Sequence, residues 1–219
     1  MDILLKNNQL IVANKPAGIP VQDDPGGDTS FLHMAETYCR HPLFLVHRLD
    51  RPVSGVTVFA KTKTAAASLS AQLQARTVEK EYLAVVQNPP PEKEGTLVHF
   101  IRKNAAKNLA TAYPDDKPGS ERAELRYRLL GSSERYHLLH IVLITGRHHQ
   151  IRAQLAAIGC PVKGDVKYGA RRGNKDRSIH LHAWRMAFDH PVSGERIHIT
   201  APPPADDPVW KAFGEMPEK

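Results

Sequence analysis

Two short apolar runs enclose a polar segment near residue 50. This pattern restricts the possible folds of the chain more than any other feature of the sequence. Residues 43–46 lead into the segment and residues 56–60 lead out, and both runs predict short buried strands. The segment contains proline and glycine, which end strand pairing, so Asp50 is predicted in an irregular turn at a sheet edge. Such loops often hold functional groups, although a surface turn with an Arg–Asp pair would look the same.

The bulk properties are those of a globular protein with a basic balance. A chain of 219 residues fits one good-sized domain or two small ones, and 41% hydrophobic content suffices for a proper core. Thirty Lys and Arg against 23 Asp and Glu give a net charge of +7. This surplus favours a polyanionic partner such as nucleic acid, although many basic proteins never bind RNA.

Cysteine usage and the absence of targeting signals point to the cytoplasm. Cys39 and Cys160 lie in apolar surroundings and are expected to be small core residues, not a disulfide framework. The first residues contain no basic segment followed by a long apolar one, and no run approaches the roughly 20 apolar residues of a membrane span. We therefore expect a cytoplasmic protein with no membrane partner.

The order of predicted elements favours a mixed fold. Three helices are predicted: one capped by Asp28 or Ser30 and ending near Cys39, one capped by Thr62 or Thr64, and residues 149–158. Residues 92–122 are interpreted as a projecting hairpin and not as a second domain, because the segment is too short to bury its own core. Further strands are predicted over residues 10–13, 80–86, 96–101, 124–130, 136–144, 179–188 and 196–200. The prediction is one α+β domain over residues 1–219, with a mixed, mainly antiparallel central sheet flanked by helices and loops.

Several motifs resemble those of the RluA-type RNA pseudouridine synthases. The turn motif comprises residues 47–50 (His-Arg-Leu-Asp), 54–55 (Ser-Gly) and 59–62 (Phe-Ala-Lys-Thr), with Val53 where the family usually has threonine. Three more motifs follow in the family's order: residues 80–82 (Lys-Glu-Tyr), 146–152 (Gly-Arg-His-His-Gln-Ile-Arg) and 181–183 (Leu-His-Ala). The resemblance runs from about Leu10 to about Pro204. It implies the pseudouridine synthase fold. Some members of that family carry a separate N-terminal RNA-binding module of the S4 type. Because only about ten residues precede the first predicted strand here, we expect a catalytic domain that acts without such a module.

The resemblance also implies a reaction and three catalytic residues. Pseudouridine formation breaks the bond from N1 to C1′, rotates the uracil and rejoins it through C5, without metal, redox step or group donor. Asp50 would be the catalytic carboxylate, Arg152 its ion-pair partner, and Tyr82 the aromatic ring that stacks on the target base. A carboxylate could act as a nucleophile or stabilise positive charge, so attack on the sugar and attack on the base both stay open.

Substrate contacts are expected from the same motifs. Leu181 matches the apolar position that lines the pocket, although an ordinary strand leucine fits equally well. Further substrate-binding residues are His47, Arg48, Arg51, Arg147 and Gln150. Phosphate contacts would offset part of the few kcal/mol that base flipping costs. The candidates for these contacts, each of which could equally be a solvated surface charge, are Lys15, Arg48, Arg51, Lys61, Lys163, Lys167, Arg171 and Arg172.

Other readings of the sequence are a non-catalytic RNA-binding or RNA-remodelling protein on the same fold, and a hydrolase that pairs Asp50 with a histidine. The hydrolase is disfavoured because no Gly-x-Ser-x-Gly motif is present. The pairs His148/His149 and His180/His182 lack the further ligands of a zinc site, so no metal or other cofactor is expected. We expect a monomer acting on RNA, with ribosomal and transfer RNA both open as substrates.

Overall fold

A computed structural model describes residues 1–24 and 26–214. They form two compact units: Met1–Lys80 with His182–Pro203, and Glu81–Leu181 with the described residues from Pro204 onward. The expectation of a single domain stays a prediction. No helix in the described ranges is long and apolar enough to cross a bilayer.

The described residues contain eleven strands, four α-helices and one 3-10 turn. The strands are β1 (Asp2–Lys6), β2 (Leu10–Lys15), β3 (Phe44–Leu45), β4 (Ser54–Ala60), β5 (Glu79–Val86), β6 (Glu94–Asn104), β7 (Leu109–Tyr113), β8 (Glu121–Ser132), β9 (His137–Leu143), β10 (Leu181–Asp189) and β11 (Arg196–Thr200). The helices are α1 (Phe31–Cys39), α2 (Lys63–Ala75), α3 (Gln150–Ala157) and α4 (Pro208–Lys211), and the 3-10 turn is Val166–Tyr168.

In the first unit, β4 occupies the middle of the sheet. It pairs with β2 in antiparallel and with β10 in parallel orientation, and every one of its residues is buried. β1 extends the sheet beyond β2, and β11 pairs with β10. A strand covered on both faces requires a continuous apolar run, which explains the composition of residues 56–60.

The two longer helices of the first unit begin at side-chain caps. The Ser30 hydroxyl accepts a hydrogen bond from the His33 amide, and the Thr62 hydroxyl accepts one from the Ala65 amide. Both predictions of capped helices are therefore confirmed. Ala65 and Leu69 of α2 join the core cluster that contains Val58 of β4.

The second unit contains an antiparallel sheet in the order β5-β9-β8-β6-β7. Alternation places Tyr82, Ile141 and Tyr127 in register across β5, β9 and β8, and all three are buried. Helix α3 is fastened to β6, since the Gln154 amide donates to the Leu97 carbonyl at 3.1 Å. The predicted antiparallel pair at 124–130 and 136–144 is thus confirmed. The predicted hairpin is present as β6 and β7, but it does not project: β6 pairs with β8, and Ile101 and Ala110 pack with Ala153 of α3 in one buried cluster.

The predicted fold class, α+β with a mixed, mainly antiparallel sheet, is confirmed, and four details are corrected. The run 43–46 yields only the two-residue, half-buried strand β3. β6 spans eleven residues where a short strand was predicted. β1 and β7 were missed, because β1 is a half-exposed outer strand and the alanine-rich β7 depends on its partner β6. Helix α4 and the 3-10 turn were also missed.

Candidate active site

Asp50 lies half-buried in the turn between β3 and β4 of the first unit. The Val53 amide donates to the Asp50 carbonyl at 3.0 Å and closes the turn. The Gly18 amide donates to the Arg51 carbonyl at 2.8 Å. Backbone bonds therefore fix the turn at Asp50 and at the residue that follows it, as expected for a residue that must be held in one position.

Lys15, at the end of β2, is completely buried and binds the backbone next to this turn. Its Nζ donates to the carbonyls of Pro16 and Ile19 at 2.9 Å and of Arg51 at 3.3 Å. Three acceptors match the three hydrogens of an ammonium group. Burial lowers the pKa of Lys15 to about 7, while the charge of Asp50 raises it. The prediction that Lys15 contacts phosphate is wrong, because a buried side chain bound by three carbonyls cannot reach RNA.

A second anchor joins the end of the Asp50 turn to β10. The Ser54 hydroxyl lies 2.8 Å from Nδ1 of His182, and Nε2 of His182 lies 3.0 Å from the Ala201 carbonyl. A carbonyl can only accept, so Nε2 carries the ring hydrogen and Nδ1 accepts from the serine hydroxyl. Burial lowers the pKa of His182 to about 4, so this anchor is uncharged at neutral pH.

The other predicted site residues of the first unit have partners close to the turn. Nε2 of His47 accepts a hydrogen bond from the Val58 amide at 3.1 Å, and burial, with a smaller effect of Lys80, lowers the pKa of His47 to about 4. Arg48 is exposed, with Nη1 at 3.4 Å from Oε1 of Gln22. Arg51 forms an ion pair with Asp28, and Asp24 lies 3.8 Å away. Arg48 is thus the most accessible cation of this turn.

In the second unit, Gln150 organises the turn between β9 and α3. Its Oε1 accepts from the Thr145 hydroxyl at 2.8 Å and from the Arg147 amide at 2.9 Å, and its Nε2 donates to the Glu124 carbonyl at 3.0 Å. The side chain is buried. Gln150 therefore shapes the turn that carries Arg147, and its contact with RNA stays a prediction.

Arg147, Tyr82 and Leu181 belong to the same unit. Arg147 is half-buried, and its Nη1 lies 2.6 Å from Oε1 of Glu121. Tyr82 on β5 and Leu181 at the start of β10 are both buried, with exposures of 8% and 4%. Burial of an aromatic ring in a sheet is compatible with stacking and with packing alike, so the stacking role of Tyr82 stays a prediction.

Arg152 on α3 is buried against a carboxylate that the sequence analysis did not select. Its Nε lies 2.6 Å from Oδ2 of Asp165, and its Nη2 lies 2.9 Å from Oδ1. The guanidinium carbon also stands 4.8 Å from the centre of the Tyr168 ring. One sequence signal could have identified Asp165: it is the single acidic residue between Glu134 and Asp176 in a strongly basic stretch.

His149 completes this cluster. The Tyr168 hydroxyl accepts a hydrogen bond from the Ala110 amide at 2.8 Å and lies 2.8 Å from Nδ1 of His149. Burial, followed by the charge of Arg152, lowers the pKa of His149 to about 2. The His149 ring is therefore neutral near pH 7, and the His148 ring stacks on it with centroids 3.8 Å apart.

Comparison with known proteins identifies the family. Residues 9–157, which include the Asp50 turn and the β9–α3 turn, match the family described as RNA pseudouridylate synthase. The chain belongs to this family. The resemblance inferred from the motifs is therefore confirmed, and the fold expectation agrees with a solved relative, the human RNA pseudouridylate synthase domain containing 4. That structure has a TM-score of 0.82 and 26% identity, and the match covers 99% of this chain and 94% of the other.

Bacterial members of the family are also similar over most of this pseudouridylate synthase chain. The ribosomal large subunit pseudouridine synthase C of Pasteurella multocida is 32% identical, over 99% of this chain and 68% of its own. An uncharacterised RNA pseudouridine synthase of Chloroflexus aurantiacus is 41% identical, over 88% of this chain and 63% of its own. The chain thus spans about two thirds of the length of these curated relatives.

Proposed function

We propose that this chain isomerises uridine to pseudouridine in RNA, with Asp50 as the catalytic carboxylate. The observation that carries the proposal is the placement of Asp50: it lies on a turn fixed by Lys15, Gly18 and Ser54, within the region that matches the family. A carboxylate on such a rigid turn can stabilise developing charge without rearrangement during the reaction.

The reaction is an isomerisation and needs no added group. The bond from N1 to C1′ breaks, a bond from C5 to C1′ forms, C5 loses its hydrogen and N1 gains one. Asp50 acts as nucleophile or as counter-charge to C1′. Tyr82 stacks on the extruded base, Leu181 lines the pocket, and Arg152 keeps the catalytic carboxylate ionised. These three roles are supported by the match to the family motifs.

The substrate class is RNA, and large-subunit ribosomal RNA is the first candidate because a relative carries that name. Arg48, Arg51 and Arg147 are cations on the two motif turns and would contact phosphates, while His47 and Gln150 hold those turns in place. The net charge of +7 supports general affinity for RNA. The proposal includes action as a monomer in the cytoplasm, and light scattering with and without RNA would test the monomer.

The decisive experiment measures pseudouridine directly. The purified full chain is incubated with transcripts of ribosomal and transfer RNA, and sites are mapped by chemical labelling and sequencing. Asp50→Asn should lose all turnover while keeping fold and RNA affinity, because the amide keeps the shape without the charge. Asp23→Asn, an exposed acid outside the turn, is the matched control and should keep the wild-type rate. RNA binding without turnover by the wild type would favour a non-catalytic RNA-binding protein instead.

A further inference from the structure

The contact between Arg152 and Asp165 has a geometry that orients the arginine. The carboxylate binds Nε and Nη2, at 2.6 and 2.9 Å, so it occupies one edge of the planar guanidinium. Nη1 with both of its hydrogens lies on the other side of the group and points away from Asp165. A bidentate contact of this kind fixes the rotation of the whole plane, which a single hydrogen bond would not do.

Asp165 is itself held by backbone bonds on both sides. Its amide donates to the Val162 carbonyl at 3.0 Å, and its carbonyl accepts from the amides of Tyr168 and Ala170, also at 3.0 Å. The 3-10 turn Val166–Tyr168 follows Asp165 directly. One short segment therefore supplies both the carboxylate at the edge of Arg152 and the Tyr168 ring that covers its face.

Stability alone is a weak explanation for this pair. Removing two charges from water is costly, and buried ion pairs are often no more stabilising than apolar side chains of similar volume. Arg152 is 5% exposed, and the Asp165 side chain is 1% exposed. The bidentate contact holds the N–H donors of Arg152 in one fixed arrangement.

We propose that Asp165 is a positioning residue for Arg152 in the reaction. It sets the plane of the guanidinium, so that the edge carrying Nη1 is held in one orientation. The inference rests on the proposed function and deepens it. Residue 165 lies beyond the range 9–157 that matches the family, so the match itself assigns no role to Asp165.

The kinetic test compares Asp165→Asn and Asp165→Glu with the wild type at saturating RNA in single turnover. The asparagine variant should react at least tenfold more slowly, with RNA affinity within threefold of wild type. The glutamate variant keeps the charge on a longer arm and should recover part of the rate. Asp207→Asn is the matched control, since Asp207 pairs with the buried His180 in the same unit at 3.1 Å and should leave the rate unchanged.

A spectroscopic test does not depend on activity. The Nε–H of Arg152, bonded to a buried carboxylate, should give a slowly exchanging signal in arginine-selective NMR. Asp165→Asn should speed this exchange, while the remaining tertiary signals stay in place. Asp207→Asn should leave the Arg152 signal untouched.

The outcomes separate this inference from the proposed function. A wild-type chain that forms no pseudouridine on any RNA would remove the function, and with it the positioning role. An active wild type with an equally active, folded Asp165→Asn would overturn the positioning role alone. The positioning role would also be overturned if Asp165→Asn reacted slowly while the Arg152 Nε–H remained protected from exchange. Should the asparagine variant not fold, Asp165→Glu decides: a wild-type rate in a glutamate variant whose Arg152 Nε–H exchanges rapidly would overturn the positioning role.

Discussion

Ser54 and His182 share a buried hydrogen bond of 2.8 Å that ties the end of the Asp50 turn to the neighbouring parallel strand. The same histidine reaches the Ala201 carbonyl with its other nitrogen. Both ring nitrogens are therefore used, and protonation of Nδ1 would reverse the bond to Ser54 and place a charge in a buried site. The anchor should consequently weaken in acid.

Stability should depend on the protonation of His182. Its pKa is about 4 in the folded chain against about 6.5 for an unperturbed histidine. Between these values the unfolded chain binds a proton that the folded chain does not, so the free energy of unfolding falls as the pH falls. His182→Gln should flatten this slope by roughly 1.4 kcal/mol per pH unit, measured by urea unfolding from pH 7 to pH 4. The exposed His198→Gln is the control, and an equal slope in both variants would contradict the assignment.

Gly55 should tolerate no side chain. Its φ is +117°, and a Cβ would lie 2.2 Å from the carbonyl oxygen of Ala183, which is backbone and cannot move aside. Gly55→Ala should therefore lower the free energy of unfolding by about 3 kcal/mol or more. Gly18 has φ +88° but nothing within 4 Å of a Cβ, so Gly18→Ala isolates the conformational strain, about 1 kcal/mol. Equal losses would show that strain, not the clash, dominates.

The elements that were predictable from sequence are those specified by nearby residues. α2 depends on the Thr62 cap and an apolar stripe, and β4 on a continuous apolar run, so both could be recognised locally. The same holds for the Asp50 turn, which proline and glycine delimit. The family motifs also mark Tyr82 and Arg152 as candidates, whatever surrounds them in the folded chain.

What the sequence could not provide depends on contacts between distant segments. Lys15 resembles any surface lysine until the sheet buries it and three carbonyls surround it. Arg152 and Asp165 lie 13 residues apart, on a helix and beyond its end, so helical spacing does not relate them. The motif that contains Gln150 predicts a contact with RNA. In the folded chain, however, its buried side-chain amide forms hydrogen bonds within the turn between β9 and α3.

Lys15 should be required for the rate more than for RNA binding. Lys15→Met removes the ammonium from three carbonyls, one of which belongs to the residue after Asp50. The free energy of unfolding should fall by about 1–3 kcal/mol, and the single-turnover rate should fall at least tenfold at saturating RNA. Lys6→Met, at an exposed position of the neighbouring strand β1, should change neither quantity. A folded Lys15→Met with the wild-type rate would show that the turn is rigid without this support.

Replacement of Tyr82 should separate stacking from hydroxyl chemistry. Tyr82→Phe keeps the ring and should retain base capture, whereas Tyr82→Ala should lower the single-turnover rate at least a hundredfold. Tyr127 is a matched control, because it is buried to 6% exposure and pairs with the same residue, Ile141, from the opposite side. Tyr127→Ala should destabilise the fold comparably, by about 3–5 kcal/mol, yet leave the rate at saturating RNA intact. Equal loss of rate in both alanine variants would indicate damage to the sheet, not loss of stacking.

RNA affinity should fall steeply with salt, because phosphate neutralisation releases counterions. Arg171 and Arg172 are exposed. The Arg171 amide donates a hydrogen bond to Oε1 of Gln87 at 3.0 Å, which fixes the start of the loop that carries both arginines. Reversing both charges to glutamate should weaken binding and reduce the slope of log affinity against log salt by about one per lost phosphate contact. Reversing the exposed Arg126 and Arg128 on β8 changes the net charge equally and should have a smaller effect. Equal effects of the two double variants, measured by fluorescence anisotropy, would mean that total charge alone governs RNA binding, without a specific role for this loop.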